Sequence, residues 1–350
     1  MTPPPPAMQP PQRVVLIKPS SLGDVVSAIP VLRGLRRSFP QARLTWLVGS
    51  AYAPLVQHDT DLDDVILFDR ARFGPPWHWP LATGELVSLI RQLRAGRFDW
   101  AIDLQGLLRS GLFALISGAE MRAGFADARE GAAIFYTHAV ACRSAHTVDR
   151  NVELARAVGV DARGEDMTLQ VPPQGEAFAA DVLAQHGLTR RRFVACVPPT
   201  RWATKRYPVR HWRAVIAELA AHAPVVVLGG GGKERELCDA VVEGLGTGVV
   251  NLAGQTDIPQ MVAMIAAAAG VVCCDSAAAF IAPAVGTEVL TLLGPTRKDR
   301  TGPYLRGKAL VAEVPCQGCM KKRCAHITCM QTIAPADVVA GALEMLQQCG

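Results

Sequence analysis

The stretch Arg13–Leu35, RVVLIKPSSLGDVVSAIPVLRGL, decides how this chain folds. An apolar run, Arg13 to Ile17, has the length and β-branched content of a buried strand. It stops at Pro19, turns through Ser20, Ser21 and Gly23, and resumes with helical spacing at Val25, Ala28, Ile29 and Leu32. Strand, tight turn and helix make the opening unit of a doubly wound α/β domain, whose ligands lie beyond the carboxyl ends of the strands. Gly23 allows the backbone a close approach that a side chain would block. Asp24, directly behind it, has two readings: an early-turn acid favoured by the helix dipole, or a carboxylate held at a cleft as a general base. Ser20 and Ser21, with the free N–H groups of the helix start, could hold an anion.

The same alternation runs through the chain. Strands are expected at Arg13–Lys18, Arg43–Val48, Val65–Phe68 and Trp100–Leu104, then at Phe193–Val197, Val225–Leu228, Val249–Leu252, Val271–Cys274 and Val289–Leu292. Helical faces recur at Leu86, Leu89, Ile90 and Leu93, and at Trp212, Val215, Ile216 and Leu219. The middle of the chain breaks the series at Pro172-Pro173 and Gly175. The expected organisation is a Pro-rich tail over 1–12, a first domain over 13–170, a linker over 171–177, and a second domain over 178–350 carrying a Cys-rich segment at 316–329. Two facing Rossmann-like domains bring their strand ends to one cleft.

Composition narrows the function. The chain has 350 residues, enough for two cores, and half of them are hydrophobic. No apolar run reaches the roughly 20 residues of a membrane span. The N-terminal segment lacks the features of a signal peptide, so a cytoplasmic location is expected. A net charge of +5 is too small for a dedicated nucleic-acid binder and suits an anionic substrate or membrane surface. The ten cysteines are expected mostly as thiols. Cys196, Cys273 and Cys274 fall in strands, Cys142, Cys238 and Cys349 are scattered, and four are clustered.

Several post-strand loops could carry chemistry. PPTRWATKRYP, Pro198–Pro208, sets Thr200, Arg201, Lys205 and Arg206 after one strand, and such cations suit a diphosphate. LGGGGKEREL, Leu228–Leu237, lacks the Ser or Thr of a phosphate-binding P-loop. Its glycines still let a ligand approach, with Glu234 placed to accept from ribose hydroxyls. Asp275 and Ser276 end a buried strand and open a helix, and Gly294, Pro295 and Thr296 end the next strand on the same edge. DLDD, Asp61–Asp64, lies at the opposite end of its strand and reads as a solvated turn. CQGCMKKRCAHITC places Cys316, Cys319, Cys324 and Cys329 at x2, x4 and x4 spacing. The residue types suit a structural zinc, although the second pair is too widely spread for a standard zinc ribbon; reduced thiols or a labile disulfide are the other readings.

Taken together, KPSSLGDVVSAIPVLRGL, DLQGLLRSGLFA (Asp103–Ala114), ADAREGAAIFY (Ala126–Tyr136), HTVDRN (His146–Asn151), RWATKRYP and the cysteine tail resemble the bacterial heptosyltransferases of glycosyltransferase family 9. The resemblance runs over nearly the whole chain after the proline tail and is nearest to the heptosyltransferase I branch. It implies a GT-B fold and an inverting, metal-independent transfer from ADP-heptose to a Kdo-bearing lipid A precursor at the inner leaflet, by a peripheral membrane enzyme without a cofactor. By it, the domain over 13–170 binds the acceptor and that over 178–350 the nucleotide sugar, Asp24 is the base and Lys205 the cation on the leaving ADP. Thr200, Arg201, Glu234, Asp275, Ser276, Ala277, Gly294 and Thr296 contact the donor. Ser20, Ser21, Gly23, Arg109 and Arg129 serve the anionic acceptor. The chain departs from the family pattern at Ala277 and Phe280, where the donor turn usually has glycine and histidine, and at Pro199, more often a glycine. A transferase using another nucleotide sugar, or a non-catalytic relative, are the alternatives these changes raise. Oligomeric state is not readable.

Overall fold

The computed structural model of the protein describes residues 9–69 and 83–348. The chain divides into two compact units, Met1–Met167 and Thr168–Gly350. Each is built on a parallel six-stranded sheet flanked by helices.

In the first unit the strands are β1 (Arg13–Ile17), β2 (Arg43–Gly49), β3 (Asp64–Phe68), β4 (Trp100–Asp103), β5 (Met121–Phe125) and β6 (His138–Val140), in the order β3-β2-β1-β4-β5-β6. In the second they are β7 (Val194–Val197), β8 (Val225–Val227), β9 (Val249–Asn251), β10 (Gly270–Cys274), β11 (Glu288–Leu293) and β12 (Lys308–Val311), in the order β12-β11-β10-β7-β8-β9. Both sheets therefore wind outward from their first strand in one direction and restart beside it in the other. The switch points fall between β1 and β4 and between β7 and β10, where a doubly wound sheet leaves a crevice. The doubly wound α/β class expected from the sequence is what the chain adopts.

Nine of the strands coincide with the apolar runs to within a residue or two. β5, β6 and β12 escape that reading. β5 carries Arg122 and Gly124, which interrupt its apolar run, β6 has three residues, and β12 pairs on one side only, at the sheet edge. Pro172 caps and Pro173 begins the helix Pro173–Gln185, so the expected linker at 171–177 contains the first turn of a helix. Proline suits that position because its missing N–H would be unpaired there anyway. Residues 1–8 of the expected tail and Cys349 lie outside the described residues. Gln12 is already anchored, its N–H donating to Asp99 Oδ2 at 2.7 Å.

The core of the second unit packs Trp212, Val215, Ile216 and Leu219 of the helix Val209–Ala220 with strand residues such as Val194, Val225 and Leu292. Trp212 is fully buried, and truncation to alanine there would cost about 3–5 kcal/mol. Cys196, Cys273 and Cys274 are buried in β7 and β10 as expected, and burial pushes the Cys274 thiol up to about 12. The acidic turn is more than solvated. Asp59 and Asp61 accept from Arg33 on the helix Ile29–Ser38, and Asp63 pairs with Arg36 of the same helix at 2.7 Å. Among the described residues no helix is long and apolar enough to cross a membrane.

Candidate active site

Each unit carries a polar constellation at its own switch point. In the first, β1 runs into Lys18 and the turn that ends at the short helix Leu22–Val26. Ser21 caps that helix. Its N–H and its hydroxyl both donate to Asp24 Oδ2, at 2.9 and 2.7 Å. Asp24 thus does act as a helix-start acid, yet only one of its oxygens is used: among the described residues no hydrogen bond engages Oδ1. The half-buried carboxylate is held rigidly by one oxygen and offers the other.

The neighbouring β4 delivers the loop Asp103–Gly106 to the same edge. Asp103 is fully buried; its Oδ1 accepts from the N–H groups of Gln105 and Gly106 at 2.8 and 3.2 Å, and its Oδ2 from the Tyr136 hydroxyl at 2.6 Å. Burial raises the Asp103 pKa, and these hydrogen bonds pull it back toward the ionised form. Lys18, 4% exposed, donates from Nζ to the Leu104 carbonyl at 2.6 Å, and Gln105 Oε1 accepts from the Ser20 N–H at 3.2 Å. The two switch-point loops are therefore latched together. Desolvation lowers the Lys18 pKa, Asp24 and Asp103 partly restore it, and Arg129 lowers it further. Lys18, Asp103, Gln105 and Tyr136 were not singled out from sequence. The only available signal was a lysine ending a strand that has no route to solvent.

Arg129 is exposed beside this cluster, with its N–H on the Gly106 carbonyl at 3.0 Å. Arg109 lies on the helix Leu108–Ser117 with its guanidinium 5.3 Å from the centre of the Phe68 ring.

In the second unit the loop after β7 meets the loop after β10. Thr200 Oγ1 donates to the Asp275 carbonyl at 2.8 Å, and Lys205 Nζ sits 2.9 Å from Asp275 Oδ2. Thr301 Oγ1 donates to the same oxygen at 3.3 Å. Lys205 also lies over the Trp202 ring, 4.3 Å from its centre. The hydroxyls of Ser276 and Thr296 are buried with no hydrogen-bond partner, an arrangement that costs free energy unless a ligand completes it. Arg201 is exposed. Glu234 is exposed too, and its Oε2 accepts from the Gly230 N–H at 2.9 Å, shaping its own glycine loop. The Cys-rich segment packs directly on these loops. Thr204 Oγ1 donates to the Lys321 carbonyl at 3.0 Å, Gln317 Nε2 to the Thr296 carbonyl at 3.0 Å, and Met320 N–H to the Pro295 carbonyl at 2.7 Å. Among the described residues no group of three or more His, Cys, Asp or Glu is arranged to hold a metal ion.

The sequence model of glycosyltransferase family 9 (heptosyltransferase) matches residues 86–329. The chain belongs to glycosyltransferase family 9. Lipopolysaccharide heptosyltransferase 1 of Pseudomonas aeruginosa is 28% identical over 90% of this chain and 88% of its own length. Its namesake in Escherichia coli K12 is 27% identical over 83% and 91%. Among solved structures, a family 9 glycosyltransferase from Veillonella parvula superposes with a TM-score of 0.81 at 19% identity, covering 96% of this chain and 97% of that one. An Escherichia coli heptosyltransferase solved with ADP gives 0.75 at 22% identity, covering 97% and 100%.

Of the residues expected from the sequence to depart from the family pattern, Phe280 and Pro199 have packing roles. Phe280 is buried in the helix Ala278–Ala284, whose N-cap is Ala277. Pro199 Cγ lies 2.9 Å from where a side chain on Gly229 would begin, so proline and glycine interlock across adjacent strands. Gly294 is required by the Cys-rich segment: a Cβ there would meet Met330 Sδ at 2.4 Å and Cys329 Sγ at 3.1 Å.

Proposed function

We propose that this family 9 glycosyltransferase is an inverting heptosyltransferase that moves L-glycero-D-manno-heptose from ADP-heptose to a Kdo residue of the lipopolysaccharide inner core. The observation that carries the catalytic part is Asp24, fixed through Oδ2 by Ser21 while Oδ1 is left to accept a proton. In the step proposed, the acceptor hydroxyl gives its proton to Asp24 Oδ1 as its oxygen bonds to the anomeric carbon of the donor. The bond from that carbon to the ADP oxygen breaks, and its electron pair becomes negative charge on the departing diphosphate. One displacement from the face opposite the leaving group inverts the centre. Lys205 meets the developing charge, exchanging its partner Asp275 for the diphosphate. Thr200, Arg201, Ser276, Ala277 and Thr296 are assigned to the donor, with Glu234 on its ribose. Ser20, Ser21, Gly23, Arg109 and Arg129 are assigned to the anionic acceptor.

The heptose and lipopolysaccharide assignments draw support from the names of the 26–28% identical relatives, which include heptosyltransferases 1 and 2. ADP is the nucleotide with which the Escherichia coli structure of like fold was solved. An acceptor of that kind places the enzyme at the cytoplasmic face of the inner membrane, as a peripheral protein. Ala277 and Phe280 favour a second reading, a different nucleotide sugar, and calorimetric titration with ADP-, UDP- and GDP-sugars separates the two.

The test is incubation with ADP-heptose and Kdo-lipid A in EDTA, with product followed by mass spectrometry. Wild-type protein is expected to form one heptosylated product, and Asp24→Asn to lower kcat about a thousandfold with ADP affinity retained. Unchanged turnover in Asp24→Asn would remove the base assignment.

A further inference from the structure

The Cys-rich segment is the part of the sequence that the reaction above does not use, and its basic run, Met320-Lys321-Lys322-Arg323, reaches the donor loop. Lys322 Nζ lies 5.1 Å from the centre of the Trp202 ring, the same ring that carries Lys205 Nζ at 4.3 Å. Neighbouring contacts pin the segment there: Thr204, two residues from Trp202, donates to the Lys321 carbonyl, and Gln317 and Met320 donate to carbonyls of the loop after β11. Two ammonium groups thus share one aromatic platform. Asp275 pairs with Lys205, and no ion pair of Lys322 occurs among the described residues. The loops that the segment and Lys205 touch also carry two buried hydroxyls without partners: Ser276, next to the Asp275 that pairs with Lys205, and Thr296, whose carbonyl accepts from Gln317. An indole face attracts cations, and two ammonium groups on one ring with a single carboxylate paired to Lys205 leave net positive charge that an anionic ligand would offset.

We propose that Lys322 is a further cation of the nucleoside diphosphate site, presented by the Cys-rich segment and held in place by Trp202. This rests on the reading of the second unit as the donor-binding half. The chemistry recognised is the diphosphate, because an ammonium at the end of a flexible stem acts as a point charge and does not discriminate bases.

Calorimetric titration of the full-length protein with ADP and with adenosine tests this. Lys322→Met is expected to weaken ADP binding about fivefold in low salt, less in high salt, with adenosine unaffected. Lys322→Arg is expected to restore ADP affinity. Trp202→Leu is expected to weaken ADP binding and to abolish the difference between Lys322→Met and its parent. Retained thermal unfolding midpoints show that each variant folds. Wild-type affinity for ADP in Lys322→Met would overturn the role of Lys322 and leave the donor-site reading standing. Failure of the wild type to bind ADP, UDP or GDP would overturn both.

Discussion

Asp103 is a carboxylate with no exposed surface, stabilised by three hydrogen bonds, and Tyr136 makes the shortest of them. Its folded pKa is raised by burial, so the folded protein holds that proton at pH values where the unfolded chain, titrating near 4, has released it. Stability linked to this group is complete below about pH 4 and is lost as pH rises through the folded value. The Tyr136 hydroxyl limits the loss by favouring the ionised form. Tyr136→Phe should therefore destabilise the protein by about 1–3 kcal/mol near neutral pH and by less at about pH 4. Urea unfolding at the two pH values measures this, and an equal cost at both would remove the linkage. None of it was legible in the sequence. Asp24, Lys205 and Asp275 could be picked out because each follows a strand, but Asp103 ends one and acquires its meaning from Tyr136, thirty-three residues away.

At the scale of elements, the strands rich in consecutive apolar residues announced themselves, the edge strands β3 and β9 included, while the edge strands β6 and β12 did not. β1 and β10 are apolar on both faces because helices cover both, whereas β6 and β12 at the sheet edges need fewer apolar residues. The docking of the Cys-rich segment was also invisible, since nothing in its spacing points to the loops after β7 and β11. Gly294 is where that docking can be perturbed. Gly294→Ala puts a methyl group into Met330 and Cys329, and the displaced segment should cost about 1–3 kcal/mol. ADP affinity should fall in parallel if the segment presents Lys322. Urea unfolding and calorimetry read the two effects, and lost stability with unchanged ADP affinity would separate packing from binding.

The whole molecule is two units, each with its own sheet and core. Such a chain need not unfold in one step. Differential scanning calorimetry is expected to resolve two transitions, of which ADP raises only the one belonging to Thr168–Gly350. At a hundredfold excess over Kd the stabilisation should be about 2.7 kcal/mol. Equal shifts of both transitions would contradict assignment of the nucleotide to one unit.

The clasp between Thr204 and Lys321 spans 117 residues of sequence. During synthesis the loop after β7 leaves the ribosome on the order of ten seconds before the segment that braces it. The nascent protein can complete the first sheet and most of the second while the loop after β7 is still unsupported. A chain released before residue 316 would keep the twelve described strands but lose Met330, Ile333, Val338, Ala342 and Met345 from the second core together with the brace on the loop after β7, so core and brace are completed by the same late-emerging stretch.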